Sequence, residues 1–142
     1  MPQPDQNIGK TVLVAVTDIF FYTKIRDALL PRGYVLERAR SQDEVPAKTK
    51  ALAPDAVILN MNDEKLDALL ALTQIRQDSR CAALPVLAFA NHEEVDTWKL
   101  AREMGITKIV SRNEFSARTL ALVEEVISRQ SSALGHELNA DR

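Results

Sequence analysis

Five short apolar runs, each followed by a stretch with helical spacing, constrain this chain more than any other feature. The runs are Thr11-Val-Leu-Val-Ala-Val16, Tyr34 to Ala39, Ala56-Val-Ile-Leu59, Leu84-Pro-Val-Leu-Ala-Phe89 and Lys108-Ile-Val110. The near-continuous, β-branched ones are those expected of strands buried on both faces. Between them lie five predicted helices. The first spans Ile19 to Pro31 and closes on Arg32-Gly33. The second opens with the capping box Ser41-Gln-Asp-Glu44 and runs to Leu52, with Pro46 tolerated near its first turn. The third covers Asp63 to Gln77, with Leu66, Leu69, Leu70, Leu72 and Ile75 at helical spacing. The fourth follows the Asn91-His-Glu-Glu94 cap and ends at Met104-Gly105, and the fifth runs from Glu114 to Arg129. Alternating strand and helix imply a parallel sheet covered on both faces. Right-handed crossovers then give an α/β, three-layer, doubly wound (βα)5 sheet of five strands. The polar ends read as tails at 1–9 and 131–142 around a single domain at 10–130.

Composition narrows the function classes. The chain has 142 residues, 18 Lys and Arg against 20 Asp and Glu, and a formal charge of −2. That balance argues against nucleic acid as a partner, since such domains carry a basic excess. Cys81 is the only cysteine, which excludes an internal disulfide and a thiolate metal site. It also has no neighbouring His to activate it, and His92 and His136 are too far apart in sequence to give a metal signature. Four glycines, with neither Gly-x-Gly-x-x-Gly nor Gly-Lys-Ser/Thr, leave no phosphate-cradling loop. The start lacks a basic and apolar leader, and no apolar run approaches the roughly 18 residues of a membrane span. A cytoplasmic protein without a membrane contact is the expectation.

In an open α/β sheet, ligands bind beyond the carboxyl ends of the strands. The residues there are Val16-Thr17-Asp18, Asn60-Met61-Asn62-Asp63, Ala90-Asn91 and Ser111-Arg112-Asn113. They hold no His or Cys, and Asp18 and Asp63 are their only carboxylates. Neither nucleophilic catalysis nor a metal site is indicated, so no enzyme activity, cofactor or metal is expected.

Five segments resemble the receiver domains of bacterial two-component response regulators. They are Lys10-Thr-Val-Leu-Val14, Leu29-Leu-Pro-Arg-Gly-Tyr34, Pro54-Asp-Ala-Val-Ile-Leu-Asn60, Leu84-Pro-Val-Leu-Ala88 and Gly105 with Lys108-Ile-Val110. Their order and spacing match the family from about Lys10 to Arg129 without large insertions. The resemblance implies a flavodoxin-like fold with strand order 2-1-3-4-5. It also implies phosphoryl transfer from a histidine kinase to an aspartate at the end of the third strand. In the family an acidic pair after the first strand helps hold Mg²⁺. A Ser or Thr after the fourth strand and a Lys after the fifth contact the acyl phosphate.

Read onto this chain, those roles fall on the wrong residue types. The acceptor position is Asn60, and the acidic pair falls on Val16 and Thr17, with Asp18 just beyond. The hydroxyl position is Ala90, and the lysine position is Arg112, or Asn113 in a shifted register. An amide cannot form the stable acyl phosphate that a carboxylate does. Mg²⁺ wants hard anionic oxygens in octahedral array, which Val16 and Thr17 do not supply. Asn60 reads either as a surrogate for the phosphorylated state or as a polar residue satisfying nearby backbone groups. Arg112 either pairs with Asp18 or Asp63 or lies in solvent.

Two further features bear on partners. On the fourth helix, Thr97, Leu100, Ala101 and Met104 share the face expected to pack on the sheet, leaving Val95 and Trp98 off it. An exposed Trp anchors binding hot spots, although Trp98 can also cover its own helix or the fifth strand. The resemblance implies a dimer or partner surface on the fourth helix, fifth strand and fifth helix, where Val95, Trp98 and Ile109 fall. The second feature is Phe20-Phe21-Tyr22, which cannot all face inward on one helix. Phe21 and Ile25 read as core, and Phe20 or Tyr22 is expected to close over the vacated pocket. The sequence thus reads as a stand-alone pseudo-receiver that signals by phosphorylation-independent protein contact or self-association. The alternative is a flavodoxin-like module binding a small molecule in the altered pocket. The shortage of glycine and hydroxyl donors at the strand ends argues against a flavin there.

Overall fold

The computed structural model describes residues 7–140, with side chains described through Arg129. Five strands form one parallel sheet: β1 (Thr11–Ala15), β2 (Val35–Arg38), β3 (Ala56–Asn60), β4 (Val86–Ala90) and β5 (Lys108–Ser111). Their order is β2-β1-β3-β4-β5, as expected. Registers such as Val14 opposite Ile58, Leu59 opposite Ala88 and Ala90 opposite Ser111 align the carboxyl ends of the strands along one edge.

The helices are α1 (Ile19–Leu29), α2 (Glu44–Leu52), α3 (Ala68–Gln77), α4 (Val95–Glu103) and α5 (Arg112–Ala140). Side chains of a strand alternate between faces, and that alternation sorts the core into two layers. Leu13, Ala15, Val57, Leu59, Val86, Ala88 and Ile109 pack with residues of α2, α3 and α4. Val12, Val14, Ile58, Leu87, Phe89 and Val110 pack with α1 and α5. Both faces of β3 and β4 are fully buried, which is why those strands read as unbroken apolar runs. On the α1/α5 side, Phe89 stacks on Phe115 with ring centroids 4.3 Å apart, and Phe21 lies 4.6 Å from Phe89. Phe21, Ile25, Phe115, Thr119, Leu122, Val123 and Val126 are all buried, in agreement with their spacing.

Several boundaries differ from the sequence reading. Helix α2 starts at Glu44 instead of Ser41, because the Glu44 carboxylate accepts from the Arg40 N–H at 2.7 Å. The Ser41 hydroxyl still accepts from the Glu44 N–H, at 3.4 Å, so half of the capping box forms. Helix α3 starts five residues later than Asp63, since Asp63 is engaged elsewhere and Asp67 takes the cap. The buried face of α3 is Ala68, Ala71, Leu72 and Ile75, so Leu70 faces outward and is exposed. Part of the expected amino-terminal tail is tied down: Gly9 N–H donates to Gly33 at 2.9 Å and Val35 N–H to Lys10 at 2.9 Å. Residues 1–6 of that tail lie outside the described residues. Helix α5 leaves helical geometry at Arg118 and then continues to Ala140, beyond the expected stop at Arg129. No proline interrupts 130–140, and Gly135 alone costs only about 1 kcal/mol, too little to end a helix of that length. The rest of the expected carboxyl-terminal tail, 141–142, lies outside the described residues.

Candidate functional site

The carboxyl edge of the sheet is crossed by a continuous line of hydrogen bonds that follows the strand order. At the end of β2, Arg38 Nη2 donates to the Thr17 carbonyl at 3.4 Å, and its guanidinium lies 4.2 Å from the Tyr22 ring centroid. Thr17, after β1, donates its N–H and its hydroxyl to Asp63 Oδ2 and Oδ1 at 2.8 and 2.7 Å. Asp63 Oδ1 also accepts from the Lys65 and Leu66 N–H groups. From the same loop, Asn62 Oδ1 accepts from Asn91 N–H at 2.8 Å, and Asn62 Nδ2 donates to Glu94 Oε2 at 2.7 Å. Arg112, after β5, closes the line by donating to Asn91 Oδ1 at 3.2 Å. Asn91 also accepts from the Trp98 indole N–H at 2.9 Å through its carbonyl. The backbone N–H, the carbonyl and the side-chain oxygen of Asn91 are thus all spent on holding the edge together.

Within this edge, Thr17, Asp18, Asn60, Asn62, Glu64, Lys65, Asn91 and Arg112 line an open cleft of about 340 Å³. Val16 is not among them; it is fully buried between the sheet and α1. Asp18 caps α1, its Oδ1 accepting from Phe20 N–H at 2.8 Å and Phe21 N–H at 3.2 Å. Asn60 is 7% exposed, and its Oδ1 accepts from Asn62 N–H at 2.9 Å, the local backbone role that its side chain allows. Ala90 is fully buried at the end of β4. Arg112 and Asn113 are exposed, and Arg112 pairs with neither Asp18 nor Asp63. Instead it reaches Asn91 and sits 5.2 Å from the Phe21 ring centroid. The expectation that Phe20 or Tyr22 closes the cleft fails. Tyr22 turns to Arg38, and Phe20, 58% exposed, lines a neighbouring cleft. The first-turn geometry explains this: Phe21 takes the inward position, and its neighbours are rotated about 100° away.

No protein-family model matches the chain, and no curated protein does. Solved structures do. A Chloroflexus aurantiacus protein assigned as a response regulator has a TM-score of 0.76 at 19% identity, covering 84% of this chain and 98% of that one. The chemotaxis response regulator CheY4 of Vibrio cholerae gives 0.74 at 19%, covering 83% and 98%. NtrX of Brucella abortus gives 0.79 at 20%, covering 95% of this chain but 30% of that protein. The chain has the receiver fold. At these identities the likeness is one of fold, and the chemistry has to be read from the chain's own residues.

In a receiver fold the acceptor, the acidic pair, the hydroxyl and the lysine occupy the edge just described. The donor set here does not fit a divalent cation. Both oxygens of Asp63 are taken by Thr17, and Asp18 is turned to the α1 backbone. Asn60 contributes a neutral amide, and Arg112 brings a positive charge into the same cleft. Among the described residues, no three His, Cys, Asp or Glu side chains come together. Cys81 is buried away from this edge, and burial pushes its thiol pKa up, which disfavours the reactive thiolate. No described helix is long and apolar enough to cross a membrane.

The α4 surface also departs from the sequence reading. Trp98 and Met104, with Ala101, pack on the sheet, whereas Leu100 is 42% exposed. Trp98 is half-buried, fixed by its bond to Asn91 and with Arg102 5.4 Å from its ring centroid. Ile109 is 7% exposed and belongs to the core, because its position on β5 faces α4. Val95, at 69%, stays in the open. The residues that sequence reasoning underrated are Asp63, Asn62 and Asn91. Their signal was present as three amide or carboxylate side chains immediately after two buried strands.

Proposed function

We propose that this chain is a pseudo-receiver, a two-component-type signalling protein that acts by protein contact, without aspartyl phosphorylation and without catalysis. The observation that carries this reading is the occupation of the phosphotransfer edge. An amide, Asn60, stands at the acceptor position, and the carboxylate three residues on, Asp63, has both oxygens engaged by Thr17. An amide oxygen is a poor phosphoryl acceptor. Asp63 would have to give up four N–H or O–H partners to replace it. The hydrogen bonds from Arg38 to Arg112 tie the loops of this edge to one another, which supports the reading. The contact surface under this reading is the open side of α4, Val95 and Leu100 with the exposed edge of Trp98.

Incubation with acetyl phosphate and Mg²⁺, followed by intact-mass measurement, tests the reading. No phosphoryl adduct is expected on the wild-type chain. Asn60→Asp is also expected to stay unlabelled, because the acids that would hold the metal remain engaged. Stoichiometric labelling of the wild-type protein on an aspartate would overturn the proposal.

A further inference from the structure

Beside the phosphotransfer edge lies a second cleft, of about 510 Å³, between the first turns of α1, the end of β4 and the start of α5. Three basic side chains line it, Lys24, His92 and Arg112, and no carboxylate does. Two of these cations rest against aromatic rings. Arg112 lies 5.2 Å from the Phe21 centroid, and Lys24 lies 5.5 Å from that of Phe20. Neither makes an ion pair among the described residues. Ser111 and Ser116 add hydroxyl groups to the same walls. On the rim, Ile19 and Phe20 are 65% and 58% exposed, two large apolar side chains in succession on the first turn of a helix. Unpaired cations, hydroxyl donors and an apolar rim complement an anion that carries apolar groups.

We infer that this cleft docks an acidic segment of a protein partner, in which carboxylates alternate with apolar side chains. The carboxylates meet Lys24 and Arg112, and the apolar side chains cover Phe20 and Ile19. A small anionic metabolite fits less well, since ligand sites of that kind bury most of the ligand, and a wall as open as Phe20 cannot. The site is distinct from the open side of α4. It rests on the contact part of the reading above and not on the absence of phosphorylation, so labelling by acetyl phosphate would sink that reading and leave this one standing.

The test is fluorescence anisotropy with a labelled peptide of alternating Glu and Leu, against its Gln counterpart. The Glu peptide is expected to bind and the Gln peptide to bind far more weakly. Affinity should fall between about 0.1 M and 1 M salt, where the Debye length shrinks from about 10 Å to about 3 Å. Lys24→Glu, at an exposed position, should weaken binding by about tenfold. Phe20→Ser should weaken it as well, and Leu52→Glu, at an exposed position of α2 on the other face of the sheet, should leave it unchanged. Amide shift changes on titration should cluster at Lys24, Ser111, Arg112 and Ser116. Equal binding of the two peptides, or indifference to Lys24→Glu, overturns the inference. So does phenyl phosphate binding as tightly as the peptide, which would make the cleft a small-molecule site.

Discussion

Thr17 gives both its backbone N–H and its hydroxyl to a single carboxylate, that of Asp63, at 2.8 and 2.7 Å. This one contact links the loops after β1 and β3, and it stands where a receiver fold otherwise gathers acids for a metal. Charge-assisted bonds of this kind are each worth about 1.5–3 kcal/mol. Asp63→Ala removes the acceptor for four donors and should destabilise the protein by about 3 kcal/mol, whereas Thr17→Val, which keeps the N–H, should cost about 1–2 kcal/mol. A double-mutant cycle in urea should return a coupling energy of about 1 kcal/mol or more. Additive single effects would mean that the two side chains do not act on each other.

The fold was legible in the chain because its cause is local and repeated. The apolar runs at 12–16, 56–59 and 86–89 are buried on both faces of the sheet, so hydrophobicity alone marks them. The change of residue types along the edge was legible for the same reason: Asn60, Ala90 and Val16 carry neither a carboxylate nor a hydroxyl wherever their side chains point. What the sequence hid was pairing. Nothing local says that Asp63 turns to Thr17, 46 residues away, or that Asn91 collects bonds from Asn62, Trp98 and Arg112. Trp98 illustrates the limit most clearly. A helical wheel places it beside the core face, but the Asn91 carbonyl, supplied by the loop before α4, draws the indole over the sheet and leaves Leu100 outside.

Tyr34 gives the protein a pH dependence at the alkaline end. Its ring is buried, its hydroxyl has no hydrogen-bond partner among the described residues, and burial pushes its pKa up to about 12. A folded-state pKa above the unfolded value of about 10 means that the contribution is complete below pH ~10. It is then lost as the pH rises toward the folded value. Unfolding followed by circular dichroism should therefore show stability falling between about pH 10 and 12. Tyr34→Phe should flatten that slope. At neutral pH it should leave stability unchanged or raise it by up to about 1 kcal/mol, since it removes a buried hydroxyl without a partner.

Gly33 and Gly9 both have positive φ, +88° and +85°, yet only one is crowded. A Cβ on Gly33 would lie 2.7 Å from Ile8 Cγ1, whereas one on Gly9 would meet nothing within 4 Å. Gly9→Ala should therefore cost about 1 kcal/mol, the backbone strain alone. Gly33→Ala should cost about 2–3 kcal/mol, because the clash with Ile8 is added to that strain. Thermal melts of the two variants side by side separate the effects, and equal losses would show that Ile8 moves aside freely.

Trp98 and Val95 sit three residues apart on α4 and should respond in opposite ways to substitution. Trp98 packs against the core beside Ala101 and donates to the Asn91 carbonyl, so it holds the β4–α4 loop in place. Trp98→Phe removes one of the two donors to the half-buried Asn91 carbonyl, the Glu94 N–H remaining, which should cost about 1 kcal/mol, and Trp98→Ala about 3 kcal/mol. A loss of partner capture by Trp98→Ala would therefore not identify a contact residue. Val95 touches little, and Val95→Glu should change stability by no more than about 0.5 kcal/mol. If the open side of α4 is the contact surface, Val95→Glu and Leu100→Glu should abolish self-association or partner binding in analytical ultracentrifugation while the melting temperature holds. Unaltered association in both variants would move the contact off α4, because a carboxylate buried at an apolar interface without a counter-charge cannot be accommodated silently.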